Sequence, residues 1–180
     1  IVRDYINLYT PYRGLLLFHG LGSGKTCSSI AIAEGLKDDR KVIVMTPASL
    51  RRNYYEELKK CGDSLYRKNQ HWEFVKPTTE NINTLSSVLN LSVEYIRTNG
   101  GAWLVDVTKP PNFSDLDDAS KKSLDKQLDE MIRYKYQFIA YNGLLKSHMV
   151  ELTSGPEGKR NPFDNAVVIV DEAHNLVSMI

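Results

Sequence analysis

The run Gly14-Leu15-Leu16-Leu17-Phe18-His19-Gly20-Leu21-Gly22-Ser23-Gly24-Lys25-Thr26 decides the reading of the fold. Residues 15–18 show no polar alternation, the pattern of a strand buried on both faces of a parallel sheet. Residues 27–34 are small and apolar at helical spacing. Strand, glycine loop, Lys-Thr and helix together make the phosphate-binding loop arrangement. Gly20, Gly22 and Gly24 let the backbone curl until its N–H groups face a phosphate chain at a helix N-terminus. Lys25 is expected to reach the β- and γ-phosphates as a point charge, and the Thr26 hydroxyl to ligate Mg²⁺. With Ser23 these residues form the expected nucleotide site. One position departs from the usual pattern: His19 stands where the loop ordinarily opens with glycine, and Gly20 can supply that turn.

A second run, Val167-Val168-Ile169-Val170, is continuous and largely β-branched, and it ends in Asp171-Glu172-Ala173-His174. Acidic residues at the carboxyl end of such a strand stand where open α/β sheets bind their ligands. Asp171 is expected to hold Mg²⁺ through water. Glu172 is expected to orient and deprotonate the attacking water, the step that separates a hydrolase from a binder. The same residues also read as an acidic helix N-terminus. That reading accounts for one acid and leaves the upstream glycine loop without a metal partner.

A chain of 180 residues suits one α/β domain with a sizeable core. Lys and Arg total 23 against 22 Asp and Glu, so no global basic field announces nucleic acid and any such groove must be local. Cys27 and Cys61 show neither metal spacing nor the density of a secreted scaffold, which points to an intracellular, reducing compartment. No stretch approaches the length of a membrane span, so no membrane partner is expected.

Four strands are expected, at 14–18, 41–45, 137–140 and 167–170. Helical patterns follow the first three, which implies a parallel sheet with right-handed crossovers. The helix at 50–60 has Ser49 as its expected N-cap and Tyr54, Leu58 and Cys61 on one face. Its basic residues Arg51, Arg52, Lys59 and Lys60 read as a solvated surface ahead of a nucleic-acid patch. Residues 62–135 break the rhythm and read as an inserted α+β segment of a domain spanning 1–180. Strands are expected there at 72–75 and 102–107, with a turn at Asn99-Gly100-Gly101. An amphipathic helix over 114–134 carries Leu116, Leu124, Leu128, Met131 and Ile132 on its apolar side, with Asp117–Lys121 and Asp118–Lys122 pairs opposite. Trp72, Phe74, Trp103 and Phe113 read as packing for this segment ahead of a base-stacking platform. Residues 154–162 read as a polar surface connection.

At its motifs the chain resembles a known family. Asp171-Glu172-Ala173-His174 is similar to the DEAH form of the Walker B box in superfamily 2 helicases and translocases. Thr46-Pro47-Ala48-Ser49-Leu50 resembles that superfamily's motif Ia, and Phe138-Ile139-Ala140-Tyr141-Asn142-Gly143 its motif Ib. Together with Tyr9-Thr10-Pro11-Tyr12-Arg13-Gly14 and residues 171–177, these phrases resemble helicases of the large nucleo-cytoplasmic DNA viruses. That group includes the ATPase subunit of the poxvirus early transcription factor and mimivirus-type helicases.

The resemblance implies a P-loop NTPase whose RecA-like parallel sheet is flanked by helices, using ATP and Mg²⁺. It implies contacts from Thr46, Pro47, Tyr141 and Asn142 to a DNA or RNA backbone, and a link through His174 to a second RecA-like domain. Family members continue into that second domain, whereas this chain stops just past the DEAH box, so the isolated chain is expected to be nearly inactive. Viral transcription machinery is the expected partner, and virion and host cytoplasm the expected setting. Two other readings stay open: a non-catalytic nucleotide-binding adaptor in a transcription or packaging assembly, and another P-loop ATPase such as a nucleotide kinase or packaging motor. Intact Lys25, Thr26, Asp171 and Glu172 favour catalysis. Thr46-Pro47 and His174 favour the helicase side.

Overall fold

Three of the four apolar runs become neighbouring strands, and one does not. The computed structural model describes residues 5, 6, 10–18, 20, 22–36, 40–142, 144, 146–155, 158, 159 and 161–177. In chain order the elements are α1 (Lys25–Leu36), β1 (Lys41–Thr46), α2 (Arg51–Cys61), β2 (Trp72–Val75), α3 (Ile82–Leu89), α4 (Val93–Thr98), β3 (Ala102–Val105), α5 (Asp118–Lys135), β4 (Tyr136–Ala140), α6 (Lys146–Thr153), β5 (Ser154–Gly155), β6 (Gly158–Lys159), β7 (Ala166–Val170) and α7 (Ala173–Val177). They divide into two compact units, one of Ile1–Tyr54 with Lys135–Ile180 and one of Tyr55–Tyr134.

The first unit is built on a parallel sheet of order β4-β1-β7. Its central strand buries Val42, Ile43 and Val44, as a run apolar on both faces requires. Met45 pairs with Ile139 on one side and Val170 on the other, so the carboxyl ends of all three strands share one edge. Helix α1 packs against β7 and buries Ile30, Ala33 and Leu36. Tyr136 donates from its hydroxyl to the Glu34 carboxylate at 2.5 Å, tying the start of β4 to that helix.

Residues 14–18 are the exception and correct the expectation of a buried strand. They form no strand, and Leu16 and Phe18 are 79% and 91% exposed. Apolar content favours burial but supplies no hydrogen-bonding neighbour; among the described strands none pairs with the outer edge of β7. Val168 on β7 is correspondingly 39% exposed. Ser49 is a second correction. It lies inside a 3-10 turn, Ala48–Leu50, that runs directly into α2, so it is not the helix cap. Residues 154–162, expected as a plain connection, include the antiparallel β5–β6 ladder.

In the second unit β2 and β3 pair antiparallel, with Phe74 opposite Trp103 and their rings edge-to-face at 5.2 Å. Strand β3 is shorter than the expected 102–107. Trp72 and Trp103 are buried, as packing residues should be. Helix α5 buries Leu124, Leu128, Met131 and Ile132, while Leu116 lies before it. Its buried Gln127 accepts the Trp103 N–H at 2.7 Å and donates to the Trp103 carbonyl at 2.8 Å. One amide side chain thereby satisfies both backbone groups of a strand residue.

Lys60 is exposed as expected, but Lys59 and the Asp117–Lys121 pair of this unit differ from expectation. Asp117 accepts the Ser120 N–H at 2.7 Å as a helix cap, and Lys121 donates to the Ser114 carbonyl at 2.8 Å instead of pairing with Asp117. Lys59, expected on a solvated face, is 2% exposed. Its ammonium lies 2.7 Å from Asp125, 2.6 Å from Asp129 and 3.2 Å from Glu56. Lys68 meets Glu56 at 2.9 Å and Asp125 at 2.6 Å. Burial pulls the Lys59 ammonium down, but the hydrogen bonds and charges of Asp125 and Asp129 outweigh it and hold the group above its ordinary value.

Candidate active site

Parallel register brings together residues far apart in the chain. Thr46 ends β1, Tyr141 and Asn142 follow β4, and Asp171 and Glu172 follow β7, all at the carboxyl edge. The Asp171 N–H donates to the Met45 carbonyl at 2.8 Å, extending the ladder to the first acid. Burial and the neighbouring Glu172 charge raise the half-buried Asp171 carboxyl above its ordinary value. The Glu172 N–H, the Thr46 hydroxyl and the charge of Lys25 act in the opposite sense. Helix α1, which opens at Lys25, packs against β7, which ends just before Asp171, so the first and second motifs lie on neighbouring elements.

The glycine loop has the backbone that its sequence demands. Gly22 and Gly24 sit at φ of 73° and 78°, where a side chain would be strained. Ser23 donates to the Gly20 carbonyl at 2.7 Å and Lys25 to the same oxygen at 3.0 Å, so the lysine folds back across its own loop. Helix α1 begins at Lys25, with Thr26 next, and the first amides of a helix have no intrahelical acceptor. Such a turn presents N–H groups and positive dipole to an anion. His19 and Leu21 lie outside the described residues.

Behind the loop, Ser29 donates to the Thr26 carbonyl at 2.8 Å and lies 3.1 Å from the Tyr54 hydroxyl. Burial pushes the Tyr54 phenol up, so it stays neutral. Tyr54 packs edge-to-face on Phe138 at 5.8 Å, and Arg51 lies over the same ring at 5.4 Å.

Glu172 has φ of +50°, a backbone conformation uncommon for a residue with a side chain. Its carboxylate lies 3.4 Å from Nδ1 of His174. The Tyr141 hydroxyl lies 2.9 Å from the Asp171 carbonyl and 3.0 Å from the Glu172 carbonyl. Asn142 Oδ1 accepts the Ala48 N–H at 2.8 Å. Thr46, Pro47 and Tyr141 are buried and serve the interior, whereas Asn142 is exposed. Gly143 lies outside the described residues.

Tyr54 and the inward roles of Tyr141 and Asn142 were not legible beforehand. The available signal was position: polar residues directly after two strands of one parallel sheet must meet at its edge. The donor set suits a divalent cation, with a carboxylate and a hydroxyl as hard oxygen ligands. Asp171 is half-buried against a second acid, an arrangement that a cation would relieve.

Parallel strands, a glycine loop opening a helix and an acidic pair at the shared carboxyl edge define a RecA-like α/β P-loop domain. The chain matches the family described as type III restriction enzyme, res subunit (ResIII), over residues 2–179, and it belongs to that family. It is a helicase-family domain. It is 31% identical to "Putative ATP-dependent RNA helicase R563" of Acanthamoeba polyphaga mimivirus, over 98% of this chain and 23% of that protein. It is 30% identical to "Putative ATP-dependent RNA helicase L377" of the same virus, over 98% of this chain and 15% of that protein. Identity to "Putative helicase 009L" of Frog virus 3 (isolate Goorha) is 27%, over 99% of this chain and 14% of that protein. The chain thus spans less than a quarter of the length of each of these relatives. No solved structure matches it. Among the described residues no helix is long and apolar enough to cross a membrane.

Proposed function

We propose that this chain is the ATP-binding and ATP-hydrolysing domain of a superfamily 2 nucleic-acid helicase or translocase of the DEAH type, viral and linked to transcription. The observation that carries the reading is the packing of helix α1, which opens at Lys25, against β7, which ends just before Asp171, so that both motifs belong to one sheet edge. The helicase part is supported by ResIII membership and by the printed names of the viral relatives.

In this reading Gly20, Gly22, Ser23 and Gly24 cradle the phosphates with backbone N–H groups, and Lys25 swings from the Gly20 carbonyl onto the β- and γ-phosphates. Thr26 and Asp171 hold Mg²⁺, which neutralises phosphate charge when bound. Glu172 takes a proton from the water whose oxygen attacks the γ-phosphorus, and ADP leaves. His174, beside Glu172, faces the coupling to a second RecA-like domain. Residues 1–180 form the first of the two such domains, with 62–135 inserted. Asn142, with the neighbouring turn after Thr46 and Pro47 and with Tyr141 behind it, lies on the side that follows a DNA or RNA backbone.

A second RecA-like domain would raise the rate. In paired RecA-like domains an arginine from the second contributes about 10³–10⁵-fold to turnover. The isolated chain should therefore bind ATP weakly and turn it over slowly, with little response to nucleic acid.

The test titrates ATP–Mg²⁺ into the wild-type chain and Lys25→Ala by calorimetry. Loss of the charge-assisted phosphate contact should weaken binding by about ten-fold or more, with both proteins equally folded. Equal affinities would remove the nucleotide site from this loop.

A further inference from the structure

We propose that Tyr141 is a positioning residue for ATP hydrolysis, its hydroxyl holding the backbone of the Asp171–Glu172 turn in the conformation from which Glu172 acts. This rests on the hydrolytic reading above. Tyr141 is only 2% exposed. Its hydroxyl has one proton and two acceptors, the carbonyls of Asp171 at 2.9 Å and Glu172 at 3.0 Å. The Asn175 side chain hydrogen-bonds the same phenol from α7, so the group is held on both sides of the turn.

What it holds is strained. Glu172 sits at φ of +50°, and a residue with a side chain persists there only where its surroundings over-determine it. Tyr141 is itself fixed. It follows β4, whose register on β1 is set by five residue pairs, and the next residue, Asn142, is anchored to the Ala48 N–H at 2.8 Å. A tyrosine kept only for packing would not need its oxygen against two successive carbonyls of the acidic turn.

Tyr141→Phe removes that oxygen and keeps the ring. The experiment compares this variant with the wild-type chain in three readouts. These are ATP–Mg²⁺ affinity by calorimetry, single-turnover hydrolysis of labelled ATP with protein in excess, and amide hydrogen exchange along the chain. Affinity should stay within about two-fold while the single-turnover rate constant falls about ten-fold, the scale of losing an outer-shell support. Faster exchange should be confined to the turn at residues 172–175. Asn175→Ala, at an exposed position, should slow the same step by a smaller factor without touching the core.

An unchanged rate constant in Tyr141→Phe overturns the inference. So does a loss that appears in affinity instead of rate, or faster exchange spread over the whole sheet, since a merely structural tyrosine gives those results. The hydrolytic reading fails separately: wild type and Lys25→Ala would then bind ATP alike, and the inference falls with it.

Discussion

Asn142 Oδ1 accepts the Ala48 N–H at 2.8 Å, so a residue two positions past β4 caps the turn that follows β1. The bond joins two neighbouring parallel strands just beyond their last ladder pair, Thr46 with Ala140. It also explains why Ser49 is free to be part of the 3-10 turn: the cap comes from another strand end.

Asn142→Ala should therefore remove a cap at the start of this helical segment. The expected cost is about 1 kcal/mol, or about 2–4 °C in melting temperature for a chain of this size. Asn142→Asp, which keeps the acceptor, should recover most of it. A melt unchanged by the alanine variant would show that the Ala48 amide is served equally well by water.

Glu172→Gln should separate binding from chemistry. The amide keeps the size of the side chain but cannot take a proton from water, so ATP affinity should persist while hydrolysis falls by about 10²–10⁴-fold. Single-turnover measurements on the chain, or steady-state rates in a longer protein that contains it, read this directly. Wild-type hydrolysis by Glu172→Gln would move the base elsewhere.

The raised carboxyl of Asp171 gives stability a definite dependence on pH. Below the ordinary aspartate value of 3.8 the group is protonated in folded and unfolded chains alike. Above it the unfolded chain releases the proton first, so stability falls with rising pH until the folded carboxyl also ionises. Asp171→Asn avoids that loss. Without nucleotide or metal it should melt higher than wild type at pH 7, and the difference should shrink as the pH approaches 3.8. A difference independent of pH would mean that the carboxyl is not held above its ordinary range.

Lys59→Ala should be costly, unlike substitution of Lys60 on the exposed side of the same helix. It withdraws the ammonium from between Asp125 and Asp129, and Lys68 remains to serve only Glu56 and Asp125. Asp125 and Asp129 are 29% and 39% exposed and keep some contact with water, so the cost should be about 1–3 kcal/mol, below that of a fully buried pair, and readable as a shift in the urea midpoint. A cost below about 1 kcal/mol would class the cluster with surface ion pairs.

The motifs were legible because their chemistry is local. Glycine at positive φ, lysine and threonine at a helix start, and acids at a strand end each state their requirement within a few residues. The strands at 41–45, 137–140 and 167–170 were legible for the same reason, their apolar runs matching neighbouring strands of one parallel sheet. Residues 14–18 carry the same content without an observed neighbour, since pairing depends on the opposite edge. Lys59 was misread because its three acids lie partly on another helix. For Tyr141 the resemblance implies a nucleic-acid contact, and only register shows that its hydroxyl meets the turn beyond β7.

The two outer strands of the sheet carry a consequence for handling the molecule. Among the described strands, β4 and β7 each have a neighbour on one side only, and Leu16 and Phe18 stand largely in water. Open rows of N–H and C=O groups with bare apolar side chains in the same unit are a template for pairing between molecules. Concentrated samples of this chain should associate with themselves. Light scattering across a dilution series would show it, and charged replacements at Leu16 and Phe18 should keep the solutions clear.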